Sequence, residues 1–365
     1  MKKVLSMALL ASLAFTFPQK DTLLFYVGAQ GPNAAITLCE LNLATGAITT
    51  KSTFSELKGP GYLSLAPDQK TLYAVTQDDK INALAVGPNG ELKYLNSQSS
   101  EGRNPCHVSV HPTGKMAFLA NYTGGSMAAY PVQKDGTLAP ASATNQFSGK
   151  GPNPQRQEGP HAHCALSTPN GKYLYVSDLG TDRLMNYVVD AGKAQLSANP
   201  AQGYFSVKAG AGPRHMVLHG SGKYLFLLNE LDATLVSCRI SDQGVLSEIQ
   251  TVNTLPADFK GANKSAAIRL HPNGKYVYAS NRGYNGITAY RIGTDGRLEQ
   301  VDTQTQGIDT PRDFNVDPTG KYLLVANQET NDLVVYDIDA QTGTLRFRQK
   351  GPTVAGPTCI VFKDK

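Results

Sequence analysis

Metal and redox frames are the first things missing. The five cysteines, Cys39, Cys106, Cys164, Cys238 and Cys359, form no Cys-x-x-Cys pair and stand at no metal-ligand spacing. That excludes the common zinc and dithiol motifs. Three of them fall in apolar strand segments that suit a small buried hydrophobe, so they are read as structural thiols. No Gly-x-Ser-x-Gly elbow is present, which leaves a serine nucleophile without support. No run of Lys or Arg accompanies the net charge of +5. A nucleic-acid stripe is therefore not expected, whereas a small anionic ligand is compatible with the slight cationic excess. Sustained helical periodicity between caps is also absent, which favours an all-β chain.

One apolar run stands out, from Val4 to about Ala14 behind Met1-Lys2-Lys3. It is too short to span a bilayer and has the layout of a secretory leader. Residues 1–20 are read as a signal peptide, cleaved between about Ala14 and Asp21, with residues 21–365 as a single domain. The expected location is periplasmic or secreted, or cytoplasmic if the leader does not function.

What is present is a repeat. Turns ending in a lysine recur as Pro67-Asp68-Gln69-Lys70, Pro112-Thr113-Gly114-Lys115, Pro169-Asn170-Gly171-Lys172, Ser221-Gly222-Lys223, Pro272-Asn273-Gly274-Lys275 and Pro318-Thr319-Gly320-Lys321. The lysines lie 45, 57, 51, 52 and 46 residues apart. That period suits a four-stranded propeller blade with variable loops. An apolar strand follows each lysine, then a third strand, an Asp-Gly or Asn-Gly turn and a short fourth.

Six units leave two remnants. The chain starts with a second strand lacking a first (Leu23-Leu24-Phe25-Tyr26-Val27-Gly28), and ends with a first strand lacking a second (Gly356-Pro357-Thr358-Cys359-Ile360-Val361-Phe362). Joined, they complete a seventh blade and hide the open sheet edges. The expectation is a seven-bladed β-propeller closed by N- and C-terminal strands sharing one blade.

The lysine also aligns positions across blades. Nine residues before it stand Gly61, Cys106, His163, Arg214, Ala266 and Arg312; eight before it, Tyr62, His107, Cys164, His215, Ala267 and Asp313. Six after it come Thr76, Asn121, Asp178, Asn229, Asn281 and Asn327; seven after it, Gln77, Tyr122, Leu179, Glu230, Arg282 and Gln328. First strands line a propeller's channel, so His107, His163, Arg214, His215, Arg312 and Asp313 should meet at one mouth with Glu230 and Arg282. The Asn column is read as structural, since Asn accepts turn conformations. His111, His219 and His271 sit in turn segments and are expected to cap hairpins at the opposite face. His161 and His163 could begin a metal site, but no third ligand is visible, so no metal is expected.

The elements Gly212-Pro213-Arg214-His215-Met216-Val217-Leu218-His219 and Asn229-Glu230-Leu231 resemble the seven-bladed lactonase family. That family includes propeller-type 6-phosphogluconolactonases and fungal carboxy-cis,cis-muconate lactonizing enzymes. The resemblance extends through Asn281-Arg282 and Thr310-Pro311-Arg312-Asp313 to essentially the whole chain after the leader. It implies a cofactor-independent site at the channel mouth, with His163, Arg214, Glu230 and Arg282 as the catalytic cluster. His107, His161, His215, Arg312 and Asp313 are the expected substrate-binding residues. A Gly- and Pro-rich segment, 148–157, lengthens the loop before His163 and is expected to reshape the pocket.

Lactone hydrolysis needs an activated water and a stabilised oxyanion. His163 suits the general base at neutral pH. Glu230 would orient Arg214 or His163, with the base role as its alternative. Arg214 would hold the oxyanion, and Arg282 and Arg312 a phosphate or carboxylate. The expected partner is a small lactone, phosphorylated or carboxylated, opened by a monomer with no nucleic acid, membrane span or cofactor involved. A muconate-type cycloisomerase and a non-catalytic binding propeller are the alternatives.

Overall fold

A computed structural model describes residues 21–363. The expected leader, residues 1–20, falls outside the described residues. Seven antiparallel sheets follow one another, with no helix among the described residues. Blade 1 pairs Pro357–Lys363 with Thr22–Ala29, then Ile36–Asn42 and Ile48–Phe54, so both ends of the chain share one sheet. Blades 2 to 7 begin with Tyr62–Leu65, Pro105–Val110, Ala162–Ser167, Pro213–Leu218, Lys264–Leu270 and Pro311–Val316. Each runs outward through three further strands. Blade 4 differs, because its outer edge is divided between Gln195–Ala198 and Tyr204–Ser206, both paired to Arg183–Asp190.

The apolar alternation of the inner strands is buried between blades rather than within one. Seven clusters fill the seven interfaces. Tyr73 and Val75 of blade 2 pack with Val108 and Leu119 of blade 3, and Tyr322 and Leu324 of blade 7 pack with Phe25 and Ile360 of blade 1. The last contact closes the ring. Second-strand tyrosines fasten neighbouring blades: the hydroxyls of Tyr26, Tyr73 and Tyr175 donate to the carbonyls of Gly90, Gly136 and Gly244, at 2.8, 2.9 and 2.9 Å. Each accepting glycine sits in the outer hairpin of the next blade, where its positive φ (86°, 85° and 71°) makes the tight turn.

The turn histidines act across blades as well. His111 Nε2 lies 2.8 Å from the Gly171 carbonyl, His219 Nε2 3.1 Å from that of Gly274, and His271 Nε2 2.9 Å from that of Gly320. The sequence pattern makes them hairpin caps at the face opposite the mouth; the structure gives them a second task as staples between adjacent blades. The five cysteines are all free, and all but Cys106 are buried.

A register irregularity recurs where the first strands meet the channel. In blade 5, Pro213 pairs with Asn229 and His215 with Leu228, leaving Arg214 as an extra residue between them. The same shift leaves Cys106, His163 and Arg312 unpaired in blades 3, 4 and 7. Blade 2 has an unbroken register. A bulge bends the strand and re-aims a side chain, and such bulges favour functional rims. Here they let two consecutive residues face the channel, at two depths.

Candidate active site

Glu230 is the centre of the channel mouth. It follows the strand Tyr224–Asn229, and its amide donates to the Gly212 carbonyl at 2.7 Å. Gly212 has φ 67°, and a Cβ there would come within 2.5 Å of Leu231, so the turn that faces Glu230 requires glycine. Glu230 is 3 % exposed and carries three cations. Arg214 Nε donates to Oε2 at 2.9 Å, Arg282 Nη2 lies 3.2 Å from Oε2, and Arg156 Nη2 donates to Oε1 at 2.6 Å. Burial alone would raise the carboxyl pKa. Arg282 and Arg214 outweigh it and hold Glu230 well below the usual carboxylate range.

The cavity around this cluster measures ≈ 270 Å³ and is lined by Gln30, Gln77, Asn104, Cys106, Tyr122, Arg156, His163, Arg214, Glu230, Lys264, Arg282 and Arg312. Five cations therefore face one carboxylate. Burial and the repulsion of Arg214 push Arg282 down to about 9, still charged at neutral pH. Arg312 is shifted down for the same two reasons, and it has no hydrogen bond or ion pair to protein among the described residues. Burial, then Arg214, hold His163 well below 6.5, so its imidazole is neutral at neutral pH. His163 Nδ1 is 3.7 Å from Cys106 Sγ. Burial pushes the Cys106 thiol up to about 12, which keeps it protonated and unsuited to nucleophilic attack.

Of the nine site residues expected from sequence, His163, Arg214, Glu230, Arg282 and Arg312 line the cavity, and four do not. His107, His215 and Asp313 occupy the layer one residue deeper, on the far side of the bulges. His107 Nε2 contacts Cys164 Sγ at 3.3 Å, and its ring packs on Tyr62. Asp313 accepts from Arg269 at 2.6 Å and from the Ile360 amide at 2.9 Å, so its charge is spent inside the channel. His215 packs edge-on against both His107 and His163. His161 stacks on Tyr122 with ring centroids 4.6 Å apart and faces Glu158 and the Tyr122 carbonyl, which makes it a support for Tyr122.

Sequence reasoning missed Arg156, Tyr122, Cys106, Lys264, Gln30, Gln77 and Asn104 as cavity residues. For three of them a signal existed, since Gln77 and Tyr122 share the column of Glu230 and Arg282, and Cys106 shares that of His163. Arg156 had none beyond the length of its loop. Among the described residues no group of three or more His, Cys, Asp or Glu is placed to hold a metal ion.

A closed seven-bladed ring with an Arg, Glu and His cluster at one channel mouth defines a class, and the family model for the seven-bladed β-propeller lactonases matches residues 25–362. The chain belongs to that family. It is 33 % identical over 345 residues to the 6-phosphogluconolactonase of Bacillus subtilis, covering 92 % of this chain and 97 % of the relative. A candidate 6-phosphogluconolactonase of Bacteroides fragilis superposes with TM-score 0.89 at 35 % identity, over 96 % of this chain and all of that one. The periplasmic gluconolactonase of Pseudomonas aeruginosa superposes with TM-score 0.88 at 27 % identity, over 94 % and 99 % of the two chains.

Proposed function

We propose that this protein hydrolyses an anionic sugar lactone, with 6-phosphogluconolactone the substrate that fits best. The observation that carries the reading is the charge of the cavity: five cations around one carboxylate already shared by three of them. Such a cavity binds a phosphorylated aldonolactone better than a neutral one, because desolvated guanidinium groups without partners are costly and a phosphate satisfies them. The names of its relatives support the same reaction.

In this reading His163, neutral in the resting site, takes a proton from the attacking water. Hydroxide adds to the lactone carbonyl, and Arg214 stabilises the oxyanion that develops. Collapse breaks the ring C–O bond, and the leaving alkoxide receives the proton from the His163 imidazolium. Glu230 stabilises that imidazolium and orients Arg214; its own carboxyl, held far below neutrality, is a poor base. Arg312, free of protein partners, and Arg282 hold the phosphate. A positioned general base contributes about 10²–10⁴-fold, and an oxyanion donor about 10²–10³-fold.

The leader of residues 1–20 favours a second location for the same chemistry, outside the cytoplasm, where an unphosphorylated aldonolactone would be the substrate. The test is a side-by-side assay of the purified protein, with EDTA, on 6-phosphogluconolactone, gluconolactone and a muconate. Preference for the phosphorylated lactone that falls about tenfold or more in Arg312→Ala supports the reading. Equal rates on the two lactones would place the substrate among the neutral ones, and turnover of the muconate alone would replace hydrolysis by cycloisomerisation. Opening no lactone faster than buffer does would end the enzymatic assignment.

A further inference from the structure

The three cations on Glu230 are not equivalent. Arg214 and Arg282 come from the strands Pro213–Leu218 and Tyr276–Arg282; Arg214 is buried and Arg282 largely covered, with side chains 3 % and 13 % exposed. Both have further anchors: Arg214 Nη1 donates to the Ala266 carbonyl, and Arg282 Nε donates to the Lys264 carbonyl at 3.2 Å. Arg156 comes from the 148–157 loop, and its side chain is 27 % exposed. It touches the cluster through Nη2 alone, which donates to Glu230 Oε1 at 2.6 Å and Tyr122 Oη at 3.2 Å. Among the described residues its Nε and Nη1 have no hydrogen-bond partner.

The backbone beneath Arg156 is, by contrast, firmly held. Gln157 is fully buried, and its Nε2 donates to the Leu179 carbonyl at 2.9 Å and to Asp182 Oδ1 at 2.8 Å. Asn153 Oδ1 accepts from the amides of Gln155 and Arg156 at 3.1 and 3.2 Å. The same Asp182 carboxylate accepts from the amides of Gly210 and Gly212 at 2.8 Å each, tying the loop to the turn that faces Glu230. A half-buried guanidinium with spare donors thus stands on a fixed base at the cavity wall.

We infer that Arg156 selects for anionic substrates: it covers Glu230 Oε1, and a phosphate or carboxylate of the ligand draws it away through its two further donor groups. The exchange replaces one charge-assisted contact with another, so the side chain can turn at small cost when an anion arrives. A ligand without that anion must either leave Arg156 on Glu230 or strip it off uncompensated. Glu230 keeps Arg214 and Arg282 throughout, so its orientation survives the exchange. Arg156 is in this way a contribution of the lengthened loop to selectivity, separate from the strand-borne cluster. The inference rests on the anionic-ligand reading of this cavity but not on hydrolysis itself.

The test measures the affinity of Arg156→Gln, Arg156→Lys and the unaltered protein for inorganic phosphate by calorimetry at fixed ionic strength. The ratio of kcat/KM on 6-phosphogluconolactone to that on gluconolactone is measured alongside. Phosphate affinity should fall about 10–100-fold in Arg156→Gln, the scale of a lost charge-assisted hydrogen bond, with Arg156→Lys recovering part of it. The selectivity ratio should fall in the same order. Weakened phosphate binding in a protein that opens no lactone would support the role of Arg156 and sink the hydrolase reading. Phosphate affinity in Arg156→Gln equal to that of the unaltered protein, or none detectable in either, overturns the inference whatever turnover does. If Arg156→Gln does not fold, Arg156→Lys decides by the same affinity measurement.

Discussion

Histidine is used at both ends of this ring, and the two uses are opposite. At the turn face, His111, His219 and His271 each reach the turn glycine of the next blade, and all three repeat one geometry. At the channel mouth, the histidines divide among different tasks. His163 lines the cavity, His161 stacks beneath Tyr122, and His107 and His215 are sealed one layer down. Repetition marks a residue that serves the architecture, because every blade interface poses the same problem. The mouth breaks the symmetry, as the proposed chemistry requires, because one ligand needs different groups on different sides. Blades 3, 4, 5 and 7 share one bulge but carry Cys106, His163, Arg214 and Arg312 on it, and there the fold departs from scaffold.

The sharpest way to test that division is to remove one residue from each end. Arg214→Ala should lower turnover by about 10²-fold or more, as expected for the loss of an oxyanion donor. It should also lower stability, since Glu230 stays buried with one strong partner fewer; breaking a buried pair costs about 3–5 kcal/mol. Rates must therefore be read on protein shown to be folded by its circular dichroism. Turnover of folded Arg214→Ala equal to that of the unaltered protein would remove the mouth from the chemistry.

The pH dependence comes next in size. Because burial and Arg214 hold His163 well below 6.5, the neutral base persists as the pH drops, and the acid limb of kcat/KM for a lactone should lie well below 6.5. Were an unshifted histidine the base, the limb would fall near 6.5 instead. An acid limb centred at 6.5 or higher would exclude a buried, Arg-flanked His163 as the base.

Much of this was legible in the sequence, and the reason lies in the repeat. A turn lysine recurring every 45 to 57 residues fixes strand order, blade number and the closure of Pro357–Lys363 on Thr22–Ala29. It also brings Arg214, Glu230, His163, Arg282 and Arg312 to one place. Depth was not legible. In a regular strand Arg214 and His215 would face opposite sides; only the bulge turns both to the channel, and it leaves the second below the first. His107, His215 and Asp313 were therefore expected at the mouth, one layer too high. Arg156 was invisible for a different reason. It sits outside every aligned column, so its position depends on how Gln157 and Asp182 fold the loop back, which no periodicity encodes.

The sealed layer has its own signature in acid. Burial, reinforced by Arg269, lowers His107 to about 3, and His215 and His163 are lowered too. In the unfolded chain these rings take up protons near 6.5, whereas in the folded ring they stay neutral. Their contribution to stability is thus complete above about 6.5 and is lost progressively as pH falls toward 3. Urea midpoints measured from pH 7.5 down to 4 should decline across that window. A His107→Phe variant, if it folds, should decline less steeply, and an equal slope would show that His107 is protonated in the folded protein as well.

The smallest effect belongs to the turn face. His271 is buried and lies 2.9 Å from the Gly320 carbonyl, while the more open His219 makes the equivalent contact at 3.1 Å. A net hydrogen bond of this kind stabilises by about 0.5–1.5 kcal/mol. Removing His271 also leaves a buried carbonyl without its partner, so His271→Ala should stand at the upper end and His219→Ala at the lower. Spread over a chain of this length, the corresponding fall in Tm is about 2 °C or less. Turnover and phosphate binding should stay within about twofold of the unaltered protein in both variants. A loss of phosphate binding in His219→Ala with Tm unchanged would mean that the turn face communicates with the mouth, and the separation of scaffold from site drawn from the repeated histidines would fail.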